Sequence, residues 1–210
     1  MLLFWLKNRK KRKEKKEKTR ISNKISLNQF SLETKKIHQI LIGGGVIAYP
    51  TESVFGLGCD PSNEQAINKI LAIKKRTKEM GLVLLAPSIE IVSDWININE
   101  KQLKVFSSTT SRPTTYIIPA SDDAPKWLTV NSTLAIRLSN DLFIKNICNL
   151  LGLPIVSTSA NLHGEQPCKT AKEVQKIMGS QLDYIVFKET GPFNNPSTIV
   201  DLSSGKTIRP

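Results

Sequence analysis

The sequence predicts an α/β protein built on a mixed sheet with helices packed against it. Three observations carry this reading. Short apolar runs alternate with helical patterns along the chain. Several of the runs, Val46–Tyr49, Leu82–Ala86 and Ile155-Val156, are apolar at every position, as strands buried on both faces are. No internal repeat or Pro/Gly-rich linker divides the 210 residues, of which 40% are hydrophobic and 23% charged, the proportions of an ordinary globular chain.

The elements follow in order. Ser31 is placed to cap a helix running to Ile42, and Gly43-Gly44-Gly45 stops it. Val46–Tyr49 is a strand that Pro50 ends, and a hydroxyl-rich turn with two glycines follows, through Asp60. Ser62 and Gln65 have capping-box spacing ahead of a helix whose apolar face is Ala66, Ile67, Ile70 and Leu71, and which ends in Lys74-Lys75-Arg76. Leu82–Ala86 is the next strand, Pro87-Ser88 opens a helix through Trp95, and Asn99 caps another toward Phe106. Thr114–Ile118 and Thr133–Leu138 read as strands separated by a polar loop. Asn140 is placed to cap a helix carrying Phe143, Ile144, Ile147, Leu150 and Leu151, closed by Gly152. Ile155-Val156 runs into Ser157-Thr158-Ser159-Ala160-Asn161. Thr170 with Glu173 is a second capping box, Gly179 ends its helix, and Asp183–Phe187, Thr198–Leu202 and Thr207–Arg209 are closing strands.

The formal charge of +12 is uneven: residues 1–20 hold ten Lys/Arg against two Glu. Residues 1–25 therefore read as a basic, disordered extension and 26–210 as a single domain. The extension is either a solvated tail or an electrostatic arm for RNA or an anionic surface. Its apolar start, Met1–Leu6, is too short for a secretory core and precedes the positive charges instead of following them. No run approaches the roughly 18 apolar residues of a membrane span, so no stable membrane insertion is expected. Three scattered cysteines and two isolated histidines, His38 and His163, give neither a disulfide framework nor a metal-ligand set, and a reducing, cytoplasmic setting fits.

Three segments carry chemistry. Tyr49–Asp60 delivers hydroxyls and two glycines from the end of a buried strand, where backbone can approach a ligand, or else simply turns the chain. Lys74 and Arg76 offer a point charge and a planar fork that suit phosphate oxygens, and equally suit the dipole of a helix's last turn. Ser157–Asn161 follows an apolar strand with a dense set of uncharged donors and acceptors; a polar turn is the plainer alternative. Gly43–Gly45 precedes a strand, whereas phosphate loops lie between a strand and a helix, so it reads as a helix stop.

Together these segments resemble the YrdC-like, TsaC-type threonylcarbamoyl-AMP synthases. The resemblance spans about Ile37 to Arg209. It rests on "VIAYPTESVFGLGCDP", on Lys74 and Arg76 followed by "GLVLLA", on "LAIRL", on "PIVSTSANLHGEQPCKT", and on the closing "NPSTIVDL" and "IRP". It implies an open, twisted sheet with a large concave basic groove. It also implies formation of threonylcarbamoyl-AMP and pyrophosphate from L-threonine, bicarbonate and ATP, the first step of a tRNA adenosine modification. Lys74, Arg76, Ser159 and Asn161 match the family's catalytic, nucleotide-binding tetrad. Thr51 and Arg137 match residues that hold the amino acid, with Ser157 and Thr158 lining the same loop, and Ser197 and Arg209 match late positions near ATP. The resemblance further implies magnesium carried on the triphosphate, no dedicated metal site, RNA or tRNA contact through the groove and tail, and downstream threonylcarbamoyl-transferase proteins.

The chain departs from the family pattern at Thr77, where a proline is usual, at Met80, where a lysine is usual (Lys78 stands nearby), and at Thr110–Pro113, where Trp-Pro-Gly-Pro is usual. These positions fall where the triphosphate contacts and the groove wall are expected. Two other classes compete: a non-catalytic RNA-binding module using the same groove, and a carbamoyl-transfer domain of a hydrogenase-maturation type. The acylphosphatase-like and zinc-finger segments of the latter are not found here.

Overall fold

Among the described residues nine strands, numbered in chain order below, form one sheet. The computed structural model describes residues 30–77, 81–108, 110, 112–162, 164–193 and 197–210. The basic extension, Lys78, Met80 and His163 lie outside the described residues.

Helix α1, Leu32–Ile42, is capped by Ser31, whose hydroxyl accepts from the Thr34 N–H at 3.1 Å, and stops at Gly43. β1 is Ile47–Pro50 and pairs antiparallel with β2, Phe55–Gly58. The sequence reading had Phe55–Gly58 as part of a turn. It is a strand because the two glycines let other groups close over it: a Cβ on Gly58 would stand 2.6 Å from Tyr49 Cε1 and 2.7 Å from the Val156 carbonyl. Gly58→Ala is accordingly expected to cost about 1–3 kcal/mol by overpacking. That lowers the melting temperature by about 2–4 °C per kcal/mol in a chain of this size. An unchanged melt would contradict the packing.

Helix α2, Glu64–Lys74, is capped by Asn63, whose Oδ1 accepts from the Ala66 N–H at 3.0 Å. This corrects the Ser62–Gln65 capping box: Asp60 Oδ1 takes the Ser62 N–H at 2.8 Å and its hydroxyl at 2.6 Å, so Ser62 belongs to the turn before the helix. β3 is Val83–Ala86, and α3, Ile89–Val92, is a single turn, shorter than the helix to Trp95 that the sequence predicts. α4, Glu100–Ser107, carries a full capping box from Asn99 and Gln102. β4, Thr114–Pro119, pairs antiparallel with β5, Thr133–Leu138. α5, Leu142–Leu151, is capped by Asp141, not Asn140, through Asp141 Oδ1 and the Ile144 N–H at 3.0 Å, and ends at Gly152 in left-handed backbone. β6 is Ile155–Ser159, so Ser157, Thr158 and Ser159 stand in a strand where the sequence reading made them a loop. α6, Ala171–Met178, keeps the predicted Thr170–Glu173 box. β7 (Tyr184–Ile185), β8 (Thr198–Asp201) and β9 (Thr207–Arg209) complete the sheet, whose order is β7-β1-β2-β6-β3-β5-β4-β8-β9.

The sheet's central strands β1, β3 and β6 are buried on both sides, which is why they read as apolar runs. On one face Ala48, Leu57, Val156, Leu84 and Ile136 meet α2, α4 and α6 through Ile67, Ile70, Phe106 and Val174. On the other, Ile47, Tyr49, Ile155 and Leu85 meet α1 and α5 through Ile37, Leu41, Ile144 and Ile147. The second face is apolar only from β7 to β3. Arg137 is the register partner of Leu85, so it continues that face onto β5, where Thr115 of β4 lies beyond it. No helix among the described residues is long and apolar enough to cross a membrane.

Candidate functional site

One group of predicted residues forms at the carboxyl end of β6. α2 ends at Lys74; Lys75 turns into left-handed backbone at φ 51°, and the Arg76 N–H bonds the Leu71 carbonyl at 2.9 Å. Lys74 Nζ donates to the Ser159 carbonyl, to the Asn161 carbonyl at 3.0 Å and to Asn161 Oδ1 at 2.8 Å. An ammonium has three N–H groups, so all three are committed to one short segment of chain. Asn161 Oδ1 also accepts from Ser159 Oγ at 2.6 Å, and Asn161 Nδ2 donates to the Glu165 carbonyl at 2.7 Å. The amide is thereby fixed in orientation. Lys74 is only 1% exposed. Burial, with the Arg76 charge nearby, lowers its pKa to about 8. Arg76 Nη1 donates to Thr158 Oγ1 at 3.3 Å, and burial lowers its pKa as well.

The second group lies over the other face of β2 and β6. After Pro50 the chain folds back in a tight turn: Thr51 N–H and Oγ1 both donate to the Val54 carbonyl, at 3.0 and 2.8 Å. A Cβ on Gly56 would stand 3.3 Å from both Thr51 Cγ2 and Ser157 Oγ, so Thr51 and Ser157 flank one bare stretch of backbone. Both are buried. Glu52, next along the turn, reaches β5: its Oε2 lies 3.2 Å from Arg137 Nη2, and its Oε1 accepts from Ser139 Oγ at 2.6 Å. A segment after β7 crosses the same turn, with the Gly191 N–H on the Thr51 carbonyl at 2.9 Å and the Phe193 N–H on the Glu52 carbonyl at 3.0 Å.

A third pair stands further along the sheet. Ser197 Oγ meets Thr115 Oγ1 at 2.9 Å, and Arg209 Nη2 donates to the Ser197 carbonyl at 2.8 Å. Burial and the nearby Arg137 charge lower the Arg209 pKa, which ties this pair electrostatically to the second group.

The predicted residues thus meet as Lys74 with Ser159 and Asn161, Arg76 with Thr158, Thr51 with Ser157 across Gly56, and Ser197 with Arg209. Among the described residues Arg137 joins the Thr51 turn through Glu52, a residue to which the sequence alone assigns no role. A signal was present. Glu52 is the lone carboxylate between two buried strands and Arg137 the lone cation in "LAIRL", and charges in such apolar surroundings occur in pairs. A depression of about 400 Å³ beside α2, lined by Lys69, Ala72, Ile73, Ser180, Gln181, Leu182 and Asp183, contains none of the predicted residues.

Comparison with known proteins adds four findings. The Sua5/YciO/YrdC family model, described as "Telomere recombination", matches residues 39–210. The threonylcarbamoyl-AMP synthase of Photorhabdus laumondii is 45% identical over 186 residues, 87% of this chain and 98% of that protein. That of Haemophilus influenzae is 42% identical over 183 residues, 85% of this chain and 99% of that protein. Among solved structures, P. abyssi Sua5 complexed with L-threonine superposes with a TM-score of 0.75 at 23% identity, over 81% of this chain and 51% of that one. The chain spans about half the length of Sua5, and the likeness is one of fold.

Proposed function

The chain belongs to the Sua5/YciO/YrdC family, and from that membership we infer that it is a threonylcarbamoyl-AMP synthase, a nucleotidyltransferase acting in tRNA modification. The observation that carries the inference is the closure of two motifs remote in sequence. Thr51 and Ser157 flank Gly56, while Lys74 grips Ser159, on the same strand as Ser157, and Asn161 just beyond its end. The full-length match to relatives bearing that name supports it.

The substrates are L-threonine, bicarbonate and ATP. Threonine's amine condenses with bicarbonate, losing water, to give an N-carboxylate. Its oxygen attacks the α-phosphorus, the bond to the bridging oxygen breaks, and pyrophosphate leaves. Such chemistry needs alignment and charge neutralisation more than a nucleophile–base pair. Arg137 holds the amino-acid carboxylate beside Thr51, Ser157 and Thr158. Arg76 meets the phosphates. Lys74 holds the Ser159–Asn161 segment in place and adds its charge through space, and Ser197 with Arg209 supports the nucleotide.

Among the described residues no group of three His, Cys, Asp or Glu could hold a metal. Glu52, the carboxylate at the site, is engaged by Arg137 and Ser139. Magnesium is assigned to the triphosphate, as the family resemblance implies, and no step is routed through it. In the same proposal residues 26–210 are one catalytic domain with a concave basic groove. Residues 1–25 are an extension that aids RNA or tRNA contact, the setting is the cytoplasm, and threonylcarbamoyl-transferase proteins consume the product.

The test is pyrophosphate release and product mass with each substrate omitted in turn. Release is expected only when threonine, bicarbonate and ATP are all present. Pyrophosphate without threonine, or none from folded, ATP-bound protein, sinks the assignment. Tight RNA binding without turnover would favour the RNA-binding alternative.

A further inference from the structure

We propose that Glu52 is a positioning residue for the amino-acid half of the site: its carboxylate fixes the Arg137 guanidinium and leaves one buried N–H of that guanidinium for a ligand carboxylate. The proposal rests on the reading above and extends it to a residue outside the matched tetrad.

Glu52 is itself held on every side. Ser139 donates to Oε1 at 2.6 Å, and the Ser139 N–H is anchored on the Ala86 carbonyl at 2.9 Å. Its backbone carbonyl accepts from the Phe193 N–H at 3.0 Å. Gly191 packs so close that a Cβ there would lie 2.8 Å from Glu52 Cα. The carboxylate therefore has one place to be.

Arg137 is 7% exposed, and a buried cation of this kind would ordinarily use its whole fork. Here the pair is incomplete. Nη2 lies 3.2 Å from Glu52 Oε2, yet that oxygen accepts no aligned hydrogen bond, and Arg137 Nε is a buried donor without an acceptor among the described residues. An unmet buried donor is costly unless something arrives to meet it. Charge points the same way: Arg137, Arg209 and Glu52 together leave one positive charge uncompensated, which the carboxylate of an amino acid would balance. Tyr49, which also faces Arg137 and Glu52, is kept neutral because burial raises its pKa.

The experiment compares Glu52→Gln, which keeps the reach and loses the charge, with Glu52→Asp, which keeps the charge and loses the reach. Both are expected to raise the threonine KM by about tenfold, as loss of a supporting residue behind a ligand-holding group commonly does. The ATP KM should stay within about twofold, because uniform binding is lost on one side of the site only. Threonine affinity measured by calorimetry without turnover should fall by the same factor. Where Glu52→Gln does not fold, Ser139→Ala, which releases Oε1 and the Asp141 N–H but leaves the Glu52–Arg137 charge pair in place, gives a smaller shift in the same direction. Equal losses for threonine and ATP, or an unchanged threonine KM, overturn the proposal and leave the synthase reading standing. Wild-type protein that neither binds threonine nor forms product overturns both.

Discussion

Replacing Lys74 by methionine is expected to lower the rate of threonylcarbamoyl-AMP formation by about 10²–10³, the range seen when one preorganised charge-stabilising donor is lost. The reason lies in where its hydrogen bonds go. All three N–H groups end on Ser159 and Asn161, so the variant leaves the carbonyls of both and Asn161 Oδ1 without that donor. The amide then has only Ser159 Oγ and the Glu165 carbonyl to orient it. A buried acceptor left unmet costs about 1–3 kcal/mol. Removing a desolvated charge offsets part of that, and methionine fills nearly the same volume. The melting temperature should therefore change little while turnover collapses. Arg76→Ala supplies the contrast: it removes the guanidinium that donates to Thr158 Oγ1 at 3.3 Å and touches neither Ser159 nor Asn161 through that bond, so its effect should appear in ATP use. Pre-steady-state pyrophosphate release, read with melting curves of both variants, separates these outcomes. Near-normal turnover in Lys74→Met would return Lys74 to a purely structural helix end.

Much of this arrangement was legible in the sequence, and the failures share a cause. Ser31, Asn99 and Thr170 cap the helices that their spacing predicts, each accepting from the N–H three residues on. At Ser62 and Asn140 a neighbouring residue caps instead. In the first case Asp60 captures the serine; in the second Ser139 Oγ accepts the Asp141 N–H at 3.2 Å and sets the start of the helix one residue later. Phe55–Gly58 lost its strand identity in the sequence because glycine carries no β signal of its own. Its conformation is imposed by Tyr49 packing across it. The site follows the same rule. Residue types at Lys74, Arg76, Ser159 and Asn161 could be read locally. That Glu52 meets Arg137 depends on β1 and β5 being separated in the sheet by β2, β6 and β3 and on the turn folding back across them, which no spacing encodes.

ATP binding is expected to take up a proton above pH 8, approaching one proton per nucleotide as the pH nears 9. Burial, reinforced by Arg76, lowers the Lys74 pKa from 10.5 to about 8, so the free protein sheds this proton early. A triphosphate beside Lys74 favours the ammonium and raises that pKa. By linkage the complex then holds a proton that the free protein has lost, and ATP affinity falls by up to about tenfold per pH unit in this window. Arg76 remains charged throughout, its pKa lowered by burial from an ordinary 12.5. Cys168, which also interacts with Lys74, has its thiol pKa raised by burial and does not titrate first. The loss of affinity is not unfolding. Because the native pKa of Lys74 lies below its unfolded value, the unfolded chain binds more protons between about 8 and 10.5, so this group adds stability as pH rises there. The buried thiols Cys59, Cys148 and Cys168 act in the opposite sense only above their ordinary value of 9.0, which confines the clean comparison to pH 7–9. Calorimetry of ATP binding in two buffers of different ionisation enthalpy measures the uptake directly. Wild-type protein should show it above pH 8 and not at pH 7, and Lys74→Met should show it at neither. Uptake that persists in the variant would assign the proton to another group and remove Lys74 from the neighbourhood of the phosphates.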